Sequence, residues 1–489
     1  MHKNVTPPKS IKNLILLFML FVALCVISGG CGGSSGSIST SPSVTSVNDL
    51  WNGGWIYQSG VVSADSNGTE IGFNVLQLAV YMQDCNVSED EGTATLSSIF
   101  IVSADPTLQG VTAHLRLPAI FDEEAATTTR TDDYAWTATT EHGVFNIDIN
   151  PDTEIANLTG YTHDTSFDMS FDVVMAKYTA TGTVVNVEEA LEGQTWASSY
   201  DNMNKNGGFI SSPALNGFAF MSNGAINSVF NNVEMKSDGT GTAHITTAAM
   251  LPARAFLSAT QSFDIILPYI SSVDITLENI FGSIYKFEVP SAESIQPTKG
   301  VLIFEPTDTD QATIIINSAT VAQSAGISAM FHMKKSTGTE VDIQSAATDA
   351  VWTANVNYPA GGILYSKDMG VPFAPIVMST DNPFEVNLDA DFTAKTITIS
   401  VDGDFSVTGT NRSVNVGDLL TRITGEDTLK LEVQKIGFNT LYAESDKSRF
   451  VFVLFGEENG ILFAEIAPTG NQSQEVCSIS GIMDKNSEQ

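Results

Sequence analysis

"SFDMSFDVV", Ser166–Val174, changes character at every step: Phe167, Met169, Phe171 and Val173 fall on one side, Asp168, Ser170 and Asp172 on the other. A period of two matches an extended strand with one dry face and one wet face, not a helix with its period of 3.6. The same alternation runs through "VDITL" (273–277), "KTITISVD" (395–402) and "TLKLEVQ" (428–434). Half-wet strands are the mark of antiparallel sheets, because parallel sheets bury both faces.

Turn chemistry agrees. Asn-Gly pairs stand at 67–68, 206–207, 216–217, 223–224 and 459–460, and Asp-Gly at 238–239 and 402–403. These pairs accept the positive φ of tight hairpin turns. Helical patterning is confined to short stretches, "EEALEG" at Glu188 and "VGDLLTRI" at Asp418. The fold class read from the sequence is therefore all-β, built of antiparallel strands.

Internal similarity then divides the chain. Three segments end on tryptophan: "SVTSVNDLWNGGW" (to Trp55), "TGTVVNVEEALEGQTW" (to Trp196) and "TGTEVDIQSAATDAVW" (to Trp352). Shifting Val273, Ile275, Leu277 and Ile280 by the 156 residues from Trp196 to Trp352 lands on Leu429, Leu431, Val433 and Ile436, all apolar. A fixed period of this length signals tandem units. Three β-domains are expected, at 50–187, 188–343 and 344–489, each barrel-like or sandwich-like. A Thr-Gly recurs at Thr469-Gly470, where the third unit ends.

A tryptophan that opens the first strand after Gly-x resembles the start of the lipocalin or calycin barrel, and Gly53 and Trp55 carry that pattern. "TDDY", Thr131 to Tyr134, stands where the family has its second motif but is one residue longer. Trp196 follows Gly193 at a longer spacing, and Trp352 has no glycine nearby. The resemblance implies a barrel whose closed end the indole plugs. The alternative is a plain sandwich with the same indoles in its core, the N–H finding a partner in either case.

Ahead of these units, "LILLFMLFVALCVISGGCGGSSGS" (14–37) follows Lys3, Lys9 and Lys12 with no acidic residue before it. Its apolar core, Leu14 to Ile27, is too short to cross a ~30 Å hydrocarbon layer, so residues 1–30 read as a cleaved signal peptide. Gly29, Gly30 and Cys31 resemble the lipobox of bacterial lipoproteins, although Ser28 stands where the family usually has an aliphatic residue. The resemblance implies cleavage between Gly30 and Cys31 and fatty acylation, such as palmitate, of Cys31. Several acyl chains hold a protein stably where one does not. Residues 31–49 would then be the lipidated cysteine and a Gly/Ser-rich tether, too poor in apolar mass to fold. Gly32 lacks the acidic residue that in the family often retains lipoproteins at an inner membrane, so an outer membrane is the implied address.

With 22 basic and 56 acidic residues the net charge is −34, which repels nucleic acid and anionic headgroups alike. Outside the signal only Cys85 and Cys477 accompany Cys31, and they could form a disulfide or stay as two buried thiols. Neither zinc spacing nor any cofactor motif occurs. His114, His142, His163, His244 and His332 sit in no recognisable Ser/His/Asp context. Acidic groups occur at Glu89, Asp90 and Glu91, and at Asp308 and Asp310. Asp389, Asp391, Asp402 and Asp404 are the carboxylates most able to meet across a hairpin around a cation. The expectation is a membrane-anchored, extracytoplasmic lipoprotein with a non-catalytic binding or structural role. Its partner would be a small apolar ligand or an envelope or surface protein. The alternative is an extracytoplasmic hydrolase with a nonstandard site.

Overall fold

The computed structural model describes residues 46–486, apart from 67–68, 88–89, 105–106, 109–110, 113–114, 142, 163–167, 179–184, 199–204, 213–216, 223, 259–260, 290–297, 306–307, 320–325, 337–340, 358–359, 367–370, 379–382, 408–410, 437–438, 447, 455–457 and 467–474. Three antiparallel β-barrels follow one another along the chain.

The first barrel contains β1 (Gly53–Ser66), β2 (Thr69–Asn86), β3 (Glu91–Ala104), β4 (Leu115–Asp132), β5 (Ala135–Thr139), β6 (Gly143–Asn150), β7 (Ile155–Thr162) and β8 (Asp168–Lys177). Each strand pairs with its successor, and β8 returns to β1 to close the ring. The second contains β9 (Thr195–Ala197), β10 (Gly207–Ser212), β11 (Gly217–Ser222), β12 (Ala225–Met235), β13 (Thr240–Ser258), β14 (Gln261–Phe281), β15 (Ile284–Val289), β16 (Thr298–Glu305), β17 (Asp308–Ala319) and β18 (Gly326–Lys335). Here β9 and β10 share the work of one first strand against β18, and β11 and β12 share the work of one second strand against β13.

The third contains β19 (Ala350–Ala354), β20 (Gly361–Ser366), β21 (Val371–Met378), β22 (Glu385–Asp391), β23 (Thr396–Asp402), β24 (Asp404–Val407), β25 (Ser413–Asn415), β26 (Leu429–Ile436), β27 (Thr440–Glu444), β28 (Ser448–Leu454), β29 (Asn459–Ile466) and β30 (Glu475–Lys485). It closes through β19 and β30. Closure removes the exposed strand edges that an open sheet would carry.

Three Asx-Gly pairs expected to turn hairpins do something else, Asn206-Gly207 between β9 and β10 among them. β11 and β12, on either side of 223–224, run along the same strand β13, with Ala219 opposite Ala255 and Ala225 opposite Met250. The pair marks a break inside a strand, as Asp402-Gly403 does between β23 and β24. Asp238-Gly239 does turn the β12–β13 hairpin, with Gly239 at φ +86°.

One local plan recurs three times. A five-residue helix precedes each first strand: α1 (Val47–Trp51), α2 (Val187–Leu191) and α3 (Ile343–Ala347). Ser46, Asn186 and Asp342 cap them by accepting a hydrogen bond from the backbone N–H three residues on. Each tryptophan then inserts fully buried beneath its helix. Trp55 donates its indole N–H to the Trp51 carbonyl at 3.1 Å, Trp196 to Ala190 at 3.2 Å and Trp352 to Ala346 at 3.0 Å. The last strand of each barrel meets that tryptophan with a lysine, pairing Trp55 with Lys177, Trp196 with Lys335 and Trp352 with Lys485. Lys177 donates to the Asp49 and Leu50 carbonyls and Lys485 to Ser345, so cations sit on the exposed carbonyls of the helix. Higher up, Gly60, Gly208 and Gly362 press onto the carbonyls of Asp172, Ser328 and Ser478 in the last strand, where any Cβ would collide.

Each barrel has its own core. Trp51 and Trp136 meet edge to face at 5.1 Å in the first, Trp196 and Phe304 at 5.5 Å in the second, and Trp352 and Phe452 at 4.6 Å in the third. Cys85 belongs to the first core and Cys477 to the third, so the open disulfide option is resolved against a bridge. In the third barrel the β25–β26 connection is a nine-residue helix, α4 (Val416–Thr424), whose Val416, Leu419, Leu420 and Ile423 join the barrel core.

Two apolar seams join neighbouring barrels through outward-facing apolar side chains. Ala79, Ile99 and Ile101 of the first meet Ile284, Val301, Ile303, Ile315 and Met330 of the second. Val229, Met250 and Ile270 of the second meet Ile436, Tyr442, Val451, Val453 and Phe463 of the third. The long fourth strands reach forward as well. β4 lies across β10, β18, β11 and β17, and β14 lies in the same manner across β20, β30, β29 and β21.

Candidate functional site

The most chemically suggestive cluster lies beside the second seam, on the outer face of the β13–β14 hairpin. Register sets His244 opposite Asp274 and Thr246 opposite Ser272, because Ile245 and Ile275 point into the core and their neighbours point out. The His244 Nδ1 stands 2.8 Å from Asp274 Oδ1, and its Nε2 stands 3.0 Å from Ser272 Oγ. Ser272 Oγ also lies 3.0 Å from Thr246 Oγ1. From the third barrel, the buried Tyr442 hydroxyl donates to Glu444 Oε2 at 2.8 Å and is in hydrogen-bonding contact with Ser272. Burial first, and the Glu444 carboxylate second, push the Tyr442 phenol well above its ordinary value, so it stays a neutral donor. The order carboxylate, imidazole, hydroxyl is that of an acyl-transfer relay. A working relay buries its carboxylate, however, and the Asp274 side chain is 88 % exposed.

His332 is placed differently. Its Nδ1 lies 2.9 Å from Thr313 Oγ1, and its backbone N–H donates to the buried Asn206 amide at 2.7 Å. Burial, with Lys205 adding repulsion, holds the imidazole pKa down to about 4, so the ring is neutral. The Asn206 amide also donates to Ser198 Oγ and to the Gly224 carbonyl, which stitches the breaks in the first and second strands to β18. Asn206-Gly207 is therefore a splice between strands and not a hairpin turn. His114, His142 and His163 lie outside the described residues, as does Glu89.

The carboxylates expected around a cation do not converge. Asp389 faces Thr398 and Asp391 faces Thr396 near the β22–β23 turn, whereas Asp402 faces Glu385 at the far end of the same hairpin. Four residues of strand put roughly 13 Å between the two groups. Asp391 accepts from the Thr393 and Ala394 backbone N–H groups, and Asp402 and Asp404 both accept from the Asn415 amide. They are turn and splice residues. Asp308 likewise serves its own turn, held below the usual carboxylate range by the Gln311 amide and the Asp310 N–H. Among the described residues no group of three or more His, Cys, Asp and Glu side chains could hold a metal ion. A surface groove of about 480 Å³ is lined by Val341, Asp342, Ile343, Gln344, Phe392 and Lys435. Its Asp342 carboxylate is already engaged in capping α3.

Gly30, Cys31 and the tether up to Thr45 lie outside the described residues, as do the two Thr-Gly-Thr stretches and Thr469-Gly470. Sequence reading missed the three lysines that close the barrels. Their signal was present: each is the last residue of a Met-x-Lys, at Met175, Met333 and Met483, with every methionine buried.

These features define a tandem of helix-capped, eight-stranded antiparallel barrels. No family model and no curated protein matches the chain. Among solved structures it is similar to a double mutant of transferrin binding protein B from Haemophilus parasuis Hp5, at 9 % identity and TM-score 0.19, covering 89 % of this chain and 77 % of that one. It is similar to isotype 1 transferrin binding protein B from serogroup B Neisseria meningitidis, at 8 % identity and TM-score 0.17, with coverage of 89 % and 77 %. A DUF3598-family protein of unknown function from Nostoc punctiforme aligns at 9 % identity and TM-score 0.20, covering 61 % of this chain and all of that one. Scores of this size carry no argument, and the architecture rests on the strand pairings themselves.

Proposed function

We propose that the chain is a lipoprotein of the bacterial envelope, anchored through Cys31 in the outer membrane, with a non-catalytic binding or scaffolding role. The signal-like 1–30 and the Gly/Ser-rich tether support the address. The observation that carries the role is the packing of the barrels: indoles, phenyl rings and α4 occupy the described core positions, and aliphatic seams lock neighbours together. Filled, locked barrels favour contact with another protein over carriage of a small apolar ligand. The test is Cys31→Ser in the producing cell. The native protein is expected to fractionate with membranes and to carry fatty acyl mass on its N-terminal cysteine, and the variant to be released. Membrane association that persists in the variant overturns the anchor.

The His244–Asp274–Ser272 geometry favours one second reading, an extracytoplasmic hydrolase with Ser272 as nucleophile and His244 as base. A fluorophosphonate probe on the purified protein decides it. Labelling of Ser272 that is lost in His244→Ala supports the hydrolase, and an unlabelled Ser272 removes it.

A further inference from the structure

The two internal junctions are built on one plan. In each, the fourth strand of the preceding barrel lies across the first, second, seventh and eighth strands of the next: β4 on β10, β11, β17 and β18, then β14 on β20, β21, β29 and β30. Such a junction is heterologous, so the two junctions among the described residues engage the donor strands of the first and second barrels and the acceptor faces of the second and third. The donor end is closed. The fourth strand of the third barrel, β26, has eight residues where β14 has twenty-one, and α4 folds back into its own core.

On β1, β2, β7 and β8 of the first barrel, the acceptor end, no strand of another barrel lies across the face among the described residues. Val61 on β1 is 62 % exposed, Leu76 on β2 47 % and Tyr161 on β7 47 %, with the half-buried Val174 on β8 beside them. Three of the six most exposed large apolar side chains among the described residues thus gather on this face.

We propose that this face is a docking site for a long β-hairpin contributed by a partner protein, seated as β4 and β14 are seated on the second and third barrels. The occupant is not a second copy of this chain. The third barrel presents Glu385, Asp389, Asp391 and Glu432 outward where a donor would need aliphatics, and its hairpin is replaced by α4. The hairpins of the first two barrels already lie on their own neighbours. The partner's hairpin carries an outer aliphatic row for Val61, Leu76 and Tyr161. Lysine or arginine on its flank would face Asp172, which is exposed directly opposite Val61 on a chain of net charge −34. This deepens the binding role proposed above, and it stands or falls independently of lipidation at Cys31.

The experiment places p-benzoyl-phenylalanine at Val61 of the full-length protein in the producing cell, with the same probe at Tyr134, which lies in the β4–β5 turn, as reference. Irradiation is expected to join Val61 to one other polypeptide, with the attachment mapped by mass spectrometry to a β-hairpin strand. The double variant Leu76→Asp, Tyr161→Asp should cut that yield by about tenfold. Folding of the double variant is checked by circular dichroism, and Leu76→Asp alone, at a residue 47 % exposed, should lower the yield in the same direction. Attachment to lipid, to a second copy or to a non-hairpin segment overturns the proposal, as does a yield no higher than at Tyr134.

Discussion

Trp352→Phe tests the repeated lock that closes each barrel. It removes the indole N–H that Ala346 receives at 3.0 Å, at a site with no solvent exposure. Stranding that carbonyl costs about 1–2 kcal/mol. The smaller ring leaves a void of roughly 40 Å³, which at ~24 cal/mol per Å³ adds about 1 kcal/mol. The edge-to-face contact with Phe452 at 4.6 Å is weakened as well. The expected loss is about 2–3 kcal/mol, confined mainly to the third barrel. Hydrogen exchange by mass spectrometry reads it region by region. Amides of α3, β19 and β30 should exchange roughly 30- to 150-fold faster, while those of β5 and β6 in the first barrel keep their rates. Trp196→Phe should do the same in the second barrel. A loss under about 0.5 kcal/mol, the size of an ordinary surface change, would refute the assignment of the indole as a structural donor.

Because His332 is held neutral with a pKa near 4 against 6.5 in the unfolded chain, the unfolded state binds the proton first as pH falls. Stability should be complete above pH 6.5 and drop by up to about 3 kcal/mol on the way to pH 4; urea midpoints across that range measure it, and His332→Gln should flatten the slope. Leu420→Ala removes a fully buried anchor of α4 and should cost about 2–5 kcal/mol in the third barrel, read as a lowered melting temperature. Gly362→Ala should destabilise the third barrel by about 1–3 kcal/mol, because the new methyl meets the Ser478 carbonyl, and chemical denaturation checks it. The Cys85 thiol is pushed up to about 12 by burial and by Asp84, so iodoacetamide at pH 8 should leave it unmodified until the protein is unfolded, with intact mass as the readout.

Strand character was legible because a half-buried strand writes its two faces into alternate residues. The shift of 156 residues carries Ile275 and Leu277 of β14 onto Leu431 and Val433 of β26, both fourth strands of their barrels, and all four are buried. What alternation cannot report is closure, since a sandwich strand and a barrel strand read alike. The structure decides for barrels at the point where Lys177, Lys335 and Lys485 return to the first strands. Asn-Gly and Asp-Gly pairs announce a backbone that tolerates positive φ, and that property serves a break at Asp402-Gly403 as well as a turn at Asp238-Gly239. The grouping of His244 with Asp274 and Ser272 depends on pairing across thirty residues, and no local spacing encodes it. The four aspartates do not converge for the same reason: the β22–β23 register puts Asp389 and Asp391 at one end of the hairpin and Asp402 at the other, with Asp404 beyond it in β24.

The asymmetry of the two ends bears on how the stack stays finite. A donor hairpin and an acceptor face on every unit would let molecules add head to tail without limit. Shortening β26 and turning the chain between Asn415 and Leu429 into α4 removes the donor, and Leu419 and Leu420 spend on the barrel's own core the apolar area that β14 spends on its neighbour. Glu385, Asp389, Asp391, Lys430 and Glu432 then make the outward face of the third barrel charged, so that a second molecule's apolar acceptor gains nothing there. Restoring the donor should restore the hazard. Replacing 404–428 with the β13–β14 tip, 250–272, which keeps Ile399 opposite Leu429, is expected to make the chain form oligomers that sediment with concentration. Leu76→Asp in the same molecule should abolish them by spoiling the acceptor. If the oligomers form but ignore Leu76→Asp, the acceptor lies elsewhere and the directional reading of the junctions is wrong.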